Sequence, residues 1–496
     1  MRARFGLRLF LLLTPAVLSA SSFSVNELGA RAQGMGGAFL SIADDGSALF
    51  FNPAGIAFLK KTNFQMEALA INGQFRFTPN PDQMPPGTAV PAKGFSGAIH
   101  QPFIPVPSMY MTRRINDKWA AGFAVYIPNG LGDNWTNFND SDPFNTKFVG
   151  RFAGSRAQLQ QYWFQPTVAY RISPNQAISL GIAFVHTHLF LEESFLNPYD
   201  TKPTSIGFSL ASDVFPGVDP QLAYNSFVRL LPEGRLRAAA TANKYGVSLG
   251  YLYKHRASGI NFGLTYRSHV VSHLQGQASF AFAGPSALVP FLPADRGLSV
   301  VFPNQAIRGT FTTPDNYGVG VSKRGVMGGT LAVDFHFMQF SRFKDLPLNF
   351  TKNFDSKGRP TGTDPEQRLT FDFTNSVMVQ TGYERPFGSG GPKMLSGLTK
   401  DSTWRAGYIF DQSPVPDKSK GPLFPDTSRH SVTAGITKSI GNKDFTVFYQ
   451  YMKFTNVTTD VLANQNQFTN GTYKSIANLI GLGLRWRAGG QDATAE

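Results

Sequence analysis

The stretch ISLGIAF, residues 178–184, alternates strictly. Ile178, Leu180, Ile182 and Phe184 fall on one face of an extended chain; Ser179, Gly181 and Ala183 fall on the other. The first face is bulky and apolar, the second small or polar. Tyr245, Val247, Leu249, Tyr251 and Tyr253 alternate in the same way with Gly246, Ser248 and Gly250. So do Leu331, Val333, Phe335 and Phe337 with Ala332, Asp334 and His336, and Ile480, Leu482, Leu484 and Trp486 with Gly481, Gly483 and Arg485. A soluble sandwich would turn the bulky face inward and rarely needs strands of roughly 12–20 residues. A membrane barrel turns it outward to lipid, with aromatic residues near the interfaces. The pattern predicts an all-β fold, a transmembrane antiparallel β-barrel.

Followed outward from these segments, the alternation predicts about fourteen strands, an even number that brings both ends to one side. They are 62–77, 106–115, 118–128, 157–172, 175–193, 235–254, 257–283, 305–323, 328–343, 367–385, 401–411, 427–440, 443–458 and 472–487. Short turns at 171–175, 254–258 and 441–443 belong on the periplasmic side. Long connections, such as 129–156, 194–234 and 284–304, belong outside the cell. Composition agrees: Phe 45, Tyr 16 and Gly 49, with 16% charged residues. Cysteine is absent, so order rests on hydrogen bonding and burial. The formal charge is +14, yet Lys and Arg form no runs, which argues against a nucleic-acid partner. Spread positive charge on a secreted protein suits an anionic surface, here lipopolysaccharide phosphate and outer-membrane lipid.

The N-terminus has two parts. Arg2, Arg4 and Arg8 precede an apolar run, Leu9–Leu18, that is too short to span a bilayer. Residues 1–20 are expected to be a signal peptide cut after Ala20. Residues Asn26–Ala54 then read NELGARAQGMGGAFLSIADDGSALFFNPA. Gly29, Gly34, Gly36 and Gly37 permit turns closed to other residues. Asp44-Asp-Gly-Ser47 is a turn cluster, and Asn52-Pro53 biases the chain away from helix. Apolar residues are interleaved throughout. Such a segment is best ordered inside something else, so 21–57 is expected to be a hatch plugging the lumen. The barrel is assigned to 58–487, and 488–496 is a polar tail.

Phe23-Ser-Val-Asn-Glu27, the Gly34 run, Ala43-Asp-Asp45 and Asn52-Pro-Ala54 occur in an order and spacing that resemble the hatch of the FadL/TodX family. These are bacterial outer-membrane transporters for hydrophobic compounds. The resemblance extends along most of the chain. It includes Ile127-Pro-Asn-Gly-Leu131 with Trp135, Asn243-Lys-Tyr-Gly246 with Gly263-Leu-Thr-Tyr-Arg-Ser268, and Asp334 with Phe340-Ser-Arg-Phe343 and Leu346. Its most specific part is Arg405-Ala-Gly-Tyr408 with Asp411-Gln-Ser-Pro-Val-Pro-Asp417, Pro425-Asp426 and Ser428-Arg-His430. It implies passive uptake of a hydrophobic small molecule, most readily a long-chain fatty acid, by capture at extracellular loops and lateral release through the wall. An aromatic hydrocarbon is the alternative cargo, and an adhesin without transport the alternative class. Asn26, Glu27, Gly34, Asp44, Asp45, Asn52, Pro53 and Ala54 would form the hatch and gate. A kinked third strand at Pro128, Asn129 and Gly130 would form the opening, because Pro cannot donate to the ladder and Gly permits a bulge. One departure is the C-terminus, where Trp486 is followed by a polar tail instead of ending the chain.

No catalytic grouping, Walker-type phosphate loop or cofactor site emerges. His186 and His188 share a strand face, but further metal ligands are not evident. Asp44 and Asp45 could bind a cation with Asn52, although a hydrogen-bonded turn explains them as well. Loop phenylalanines 138, 144, 148, 152, 195, 208, 215 and 227 would make a greasy landing surface. Phe148, Arg151, Phe152, Arg156 and Arg405 are the candidate ligand contacts, with arginine meeting a carboxylate. The protein is expected to be a monomer and not an enzyme.

Overall fold

The computed structural model describes residues 19–80, 82, 97–100, 104–135, 148–195, 217–219, 233–282, 302–351, 366–387, 399–460, 462 and 467–488. The predicted signal, apart from Ser19 and Ala20, and the tail from residue 489 lie outside them, as do Phe138, Phe144, Phe208, Phe215 and Phe227.

Fourteen antiparallel wall strands close into a barrel. They are β1 (Thr62–Pro79), β2 (Ile104–Arg114), β3 (Trp119–Asn134), β4 (Arg156–Ser173), β5 (Gln176–Phe195) and β6 (Gly234–His255). Next come four strands in two pieces each: β7 (Ile260–Arg267, Val271–Phe282), β8 (Gln305–Thr312, Asn316–Val326), β9 (Gly329–Met338, Asp345–Phe350) and β10 (Glu366–Thr370, Ser376–Pro386). The last are β11 (Ser402–Asp411), β12 (Arg429–Ile440), β13 (Lys443–Phe454) and β14 (Gly471–Ala488). Closure pairs β1 with β14 without interruption, from Thr62 opposite Ala488 to Pro79 opposite Gly471. The first and last strands thus leave no free edge between them, as a bilayer interior demands.

The alternation has the outward sense of a membrane barrel. Ile178, Leu180, Ile182 and Phe184 are 41–51% exposed, whereas Ala177 and Ala183 are fully buried. The ends of this apolar belt carry aromatic pairs: Trp119 with Tyr170, ring centroids 4.7 Å apart, and Tyr383 with Trp404, 5.5 Å, near the short turns. Tyr266 with Tyr317, 5.1 Å, and Phe184 with Tyr245, 6.1 Å, mark the far edge. Inward positions are polar or small, among them Gln65, Glu67, Gln161, Gln165, Asp334, Gln380 and Gln450.

Two expectations need correction. The third strand does not end at 128; β3 resumes pairing with β4 from Asn129 opposite Gln161 to Asn134 opposite Arg156. Only Ile127 and Pro128 drop out of that ladder, because the missing proline N–H spoils pairing locally. The segments 257–283, 305–323, 328–343 and 367–385 are not continuous. Neighbouring strands β7 to β10 all leave the ladder at one level, at 268–270, 313–315, 339–344 and 371–375. The buried Asp315 carboxylate sits on this fault. It accepts from Tyr266 Oη at 2.8 Å, His269 N at 2.9 Å and Arg342 Nε at 2.5 Å.

Ser22–Ala57 lies inside the ring of strands, nearly every residue of it buried. It forms short helices at Ala30–Gly34 and Ala48–Phe51 and a 3-10 turn at Pro53–Phe58. Asn52 caps that turn, its Oδ1 accepting from Ala54 N at 3.2 Å, with Pro53 at the first helical position. The wall is hollowed to receive the segment. A Cβ added at Gly382 would meet Met35 O at 2.1 Å, and one at Gly407 would meet Gly36 N at 2.2 Å.

Candidate functional site

The inner segment is fastened to opposite sides of the barrel. Asp334 on β9 accepts from the backbone N–H of Phe39 at 2.6 Å and of Leu40 at 2.7 Å. Thr433 on β12 accepts from Gly36 N at 2.9 Å, and Glu67 on β1 accepts from Ala30 N at 2.9 Å. Asn52 donates to Leu40 O at 2.8 Å and to Tyr251 O on β6 at 3.0 Å. Gly34 touches Gly435 on β12, Ala54 is fully buried, and Pro53 begins the turn into β1. Asn26 is buried against Met338. Burial pushes the Glu27 carboxyl up to about 7, and Arg429 pulls it partly back.

Below the segment, toward the short turns, is a polar cavity of about 490 Å³. Arg31 bridges it, pairing with Asp44 beside it and with Glu384 on β10 at 2.7 Å; Arg405 on β11 shares Glu384 at 3.0 Å. Burial alone would raise the Asp44 carboxyl, but Arg31 outweighs it and holds it at about 2. A depressed carboxylate stabilises above its ordinary value of 3.8 and loses that contribution as pH falls through about 2. Amide protection around Asp44, taken relative to intrinsic exchange at each pH, is therefore expected to hold down to about pH 4 and to fall below it. Asp45 accepts from Ser47 N and Oγ, the predicted turn rather than a cation site. Asp44 and Asn52 are engaged elsewhere, so no site joins the three.

Above the segment lies an apolar cluster, bordered by the buried Arg429–Asp411–Asp426 group. Phe23 is fully buried among Phe311, Phe340, Phe343, Phe373 and Phe424, with centroids 5.0 to 6.3 Å away. Leu131, Leu159, Leu189, Leu346 and Leu423 extend the same cluster. Nine-tenths or more of each of these side chains is hidden from water.

The wall has a seam beside this chamber. β2 pairs with β1 from Ile104 to Thr112, but with β3 only through Met109–Arg114. The edge of β3 that β2 leaves is taken by the N-terminal strand Ser19–Ser24, with Ser24 opposite Asn129 and Val25 N donating to Pro128 O at 2.8 Å. Asn129 also receives a hydrogen bond from Ser24 Oγ at 3.3 Å and donates to Gln161 at 2.8 Å. Pro128 and Asn129 thus lie on the stretch of β3 that the N-terminal strand covers, with Gly130 next to them.

Of the predicted ligand contacts, Phe148, Arg151 and Phe152 are brought together, Arg151 Nη1 donating to Phe148 O at 2.9 Å, but Arg156 and Arg405 lie apart from them. Arg151 pairs with Glu233 at 2.8 Å and stacks on Phe152, 4.3 Å from its centroid. Phe148 stacks on Trp135 at 5.2 Å. Arg156 is on another face, over Phe190 at 5.0 Å. Arg405 lines the polar cavity below the segment. The reading missed Phe23 and Asp334 as fastening points; both were visible as motif residues, but their partners come from distant strands.

These features define an outer-membrane β-barrel whose lumen holds its own N-terminal segment. The chain belongs to the family described as outer membrane protein transport protein (OMPP1/FadL/TodX), whose model matches residues 11–487. It is 24% identical over 434 residues to the long-chain fatty acid transport protein of Salmonella typhi, covering 86% of this chain and 84% of that one. It is 24% identical to the 47 kDa outer membrane protein of Pasteurella multocida, covering 95% and 94%. Its fold is shared with a Pseudomonas aeruginosa FadL homologue (TM-score 0.71, 17% identity, 94% and 99% covered). The Pseudomonas putida toluene transporter TodX is similar too (TM-score 0.64, 16% identity, 94% and 99% covered).

Proposed function

We propose that the protein admits hydrophobic small molecules, long-chain fatty acids or aromatic hydrocarbons, passively across the outer membrane. Residues 21–57 act as the hatch. Cargo enters the apolar chamber from the extracellular side and leaves sideways into lipid between β2 and β3. The observation that carries this reading lies just beyond the expected cleavage site: Ser24 and Val25 seat on the seam at Asn129 and Pro128 while Phe23 fills the chamber. A ligand that takes the place of Phe23 must loosen the strand covering the seam. The names of the relatives, which include fatty acid and toluene transporters, support the cargo class. A straight path through the lumen would return the cargo to water and forfeit about 25 cal/mol per Å² of apolar burial. The side exit avoids that cost. Arg237, about half exposed beside the buried Glu192, suits lipopolysaccharide phosphate on the outer face.

The test is a Pro128→Val, Gly130→Thr double variant, since both new residues favour pleated strand. Uptake of radiolabelled fatty acid and of toluene by whole cells should be lost, while ligand binding to purified protein persists. Normal uptake in a variant whose crystal structure shows β2 and β3 zipped together would eliminate the lateral route.

A further inference from the structure

The outer face of the wall carries an arginine cluster at the extracellular ends of β4, β5 and β6. Antiparallel register sets Arg156 opposite Glu192 and Glu192 opposite Arg237, with Arg235 one outward position farther along β6, opposite Ser194. All four charged side chains turn away from the lumen, because the alternate residues Ala157, Leu191, Leu236 and Ala238 belong to the apolar cluster inside it. Arg156, which the sequence reading expected to meet cargo, therefore faces outward. The cluster is built around Glu192. Its buried carboxylate accepts from Arg237 Nε at 2.6 Å through one oxygen and from Ser155 Oγ at 3.1 Å through the other. Arg156 is held separately, over the Phe190 ring at 5.0 Å. With its amide oxygen turned toward Arg156, Gln158 accepts from Nε at 3.1 Å and from Nη2 at 2.6 Å.

Among the described residues, three guanidiniums here face one carboxylate, so positive charge is in excess. Burial lowers Arg235 from the usual arginine range, and Arg237 lowers it further. Burial lowers Arg156 too; Glu192 raises it in part and Arg237 lowers it again. The arginines repel one another despite Glu192, and an anion placed among them relieves that repulsion. Height decides which anion. Tyr245 on β6 marks the edge of the apolar belt. The first outward residues past that edge, Asn243 and Thr241 on β6 and His186 and His188 on β5, are polar. From Tyr245 to Arg237 the strand runs about 26 Å at ~3.3 Å per residue, or about 20 Å along the membrane normal at the usual tilt. Lipid head groups add only about 5–8 Å to each side of the hydrocarbon. They end well below the cluster, whereas the core sugars of lipopolysaccharide extend past it.

We infer that Arg156, Arg235 and Arg237 form a docking site on the outer wall for a phosphorylated core sugar of lipopolysaccharide. The inference rests on the lipopolysaccharide contact proposed above; it extends that contact from one arginine to a built site, and from the lipid to its sugars. Glu192 takes Arg237 through Nε, which leaves Nη1 and Nη2 for the phosphate oxygens. Gln158 and Phe190 fix Arg156 on the far side of Glu192, so little side-chain freedom is lost when the phosphate arrives.

The experiment measures binding of two lipopolysaccharides to the detergent-solubilised full-length protein. One carries phosphorylated heptoses; the other has the same lipid A and sugars without the heptose phosphates. Wild type should bind the first more tightly, and less so as salt rises. Changing all three arginines to glutamine should weaken that binding by about tenfold or more, the scale of one charge-assisted hydrogen bond, and leave the second lipopolysaccharide unaffected. Arg237→Gln alone, at a half-exposed position that the fold tolerates, should remove part of the preference, and Arg237→Lys should keep most of it. Equal affinities in wild type, or a preference that Arg237→Gln and the triple variant both leave intact, would overturn the inference. Competition by inorganic phosphate as strong as by the phosphorylated lipopolysaccharide would reduce the cluster to a simple anion site and overturn it as well. Each of these results leaves the uptake reading standing, because transport by whole cells is a separate measurement.

Discussion

Replacing Gly407 with valine is expected to turn a silent barrel into a conducting one. The added Cβ would stand 2.2 Å from Gly36 N and 2.3 Å from the Met35 carbonyl carbon. Overpacking a core of side chains costs about 1–3 kcal/mol, because neighbours change rotamer. Here the neighbour is backbone, and it has no rotamer to change. Gly36 itself has φ +63°, which other residues rarely adopt. Something must move as a body. β11 is held by continuous ladders to β10 and β12, so the inner segment yields and the wall stays. Planar-bilayer current is the measurement, with a deletion of residues 21–50 as the reference for an emptied lumen. Gly407→Val should approach the current of the deletion, and Gly382→Val should act in the same direction. A conducting deletion beside a silent Gly407→Val would show that the segment tolerates the intrusion.

Asp334→Ala is expected to have the second largest effect. One buried carboxylate oxygen receives two successive backbone N–H groups, from Phe39 and Leu40. Removing it strands both buried donors. Each stranded buried group costs about 1–3 kcal/mol, and two adjacent ones weaken a single local fastening. The amide protons of Phe39 and Leu40 should then exchange at least about a hundredfold faster, while those of β9 do not. Asp334→Asn keeps an acceptor oxygen and should show a smaller change. Unaltered exchange in the alanine variant would mean that the glycine seats and Asn52 hold the segment without Asp334.

Both expectations concern contacts between residues far apart in sequence, and this separates what the sequence revealed from what it hid. Alternation is local: each of Ile178, Leu180, Ile182 and Phe184 takes its face from its own position in the strand. The lipid-facing surface and the number of strands were therefore legible. Pro128 was legible as a disturbance because a missing N–H is a property of one residue. Its extent was not, since the recovery of pairing depends on Gln161 and its neighbours on β4. The fault across β7–β10 was hidden for the same reason. Asp315 draws on Tyr266, His269 and Arg342, which alternation treats as ordinary strand residues. Arg405 was picked as a possible ligand cation because it is an arginine. Its partner Glu384 lies on the neighbouring strand and faces the polar cavity, where it also pairs with Arg31, a contact that the spacing of Arg405 in the sequence does not reveal.

The close seating of the inner segment also sets an order of events in time. Ser22–Ala57 is synthesised before any wall strand, yet its partners span the whole chain. Phe23 needs Phe424, Gly34 abuts Gly435, and Ala30 lies against Gly483. The ring itself shuts only when β14 meets β1. The first part made is therefore the last part seated, and it travels as an unpartnered chain until the barrel exists around it. Non-local pairing of this kind is slow and leaves apolar surface open to wrong partners. The glycines and the Asp44-Asp45-Gly46-Ser47 turn break its apolar residues into short groups. The features that let the segment fit also keep it soluble while it waits.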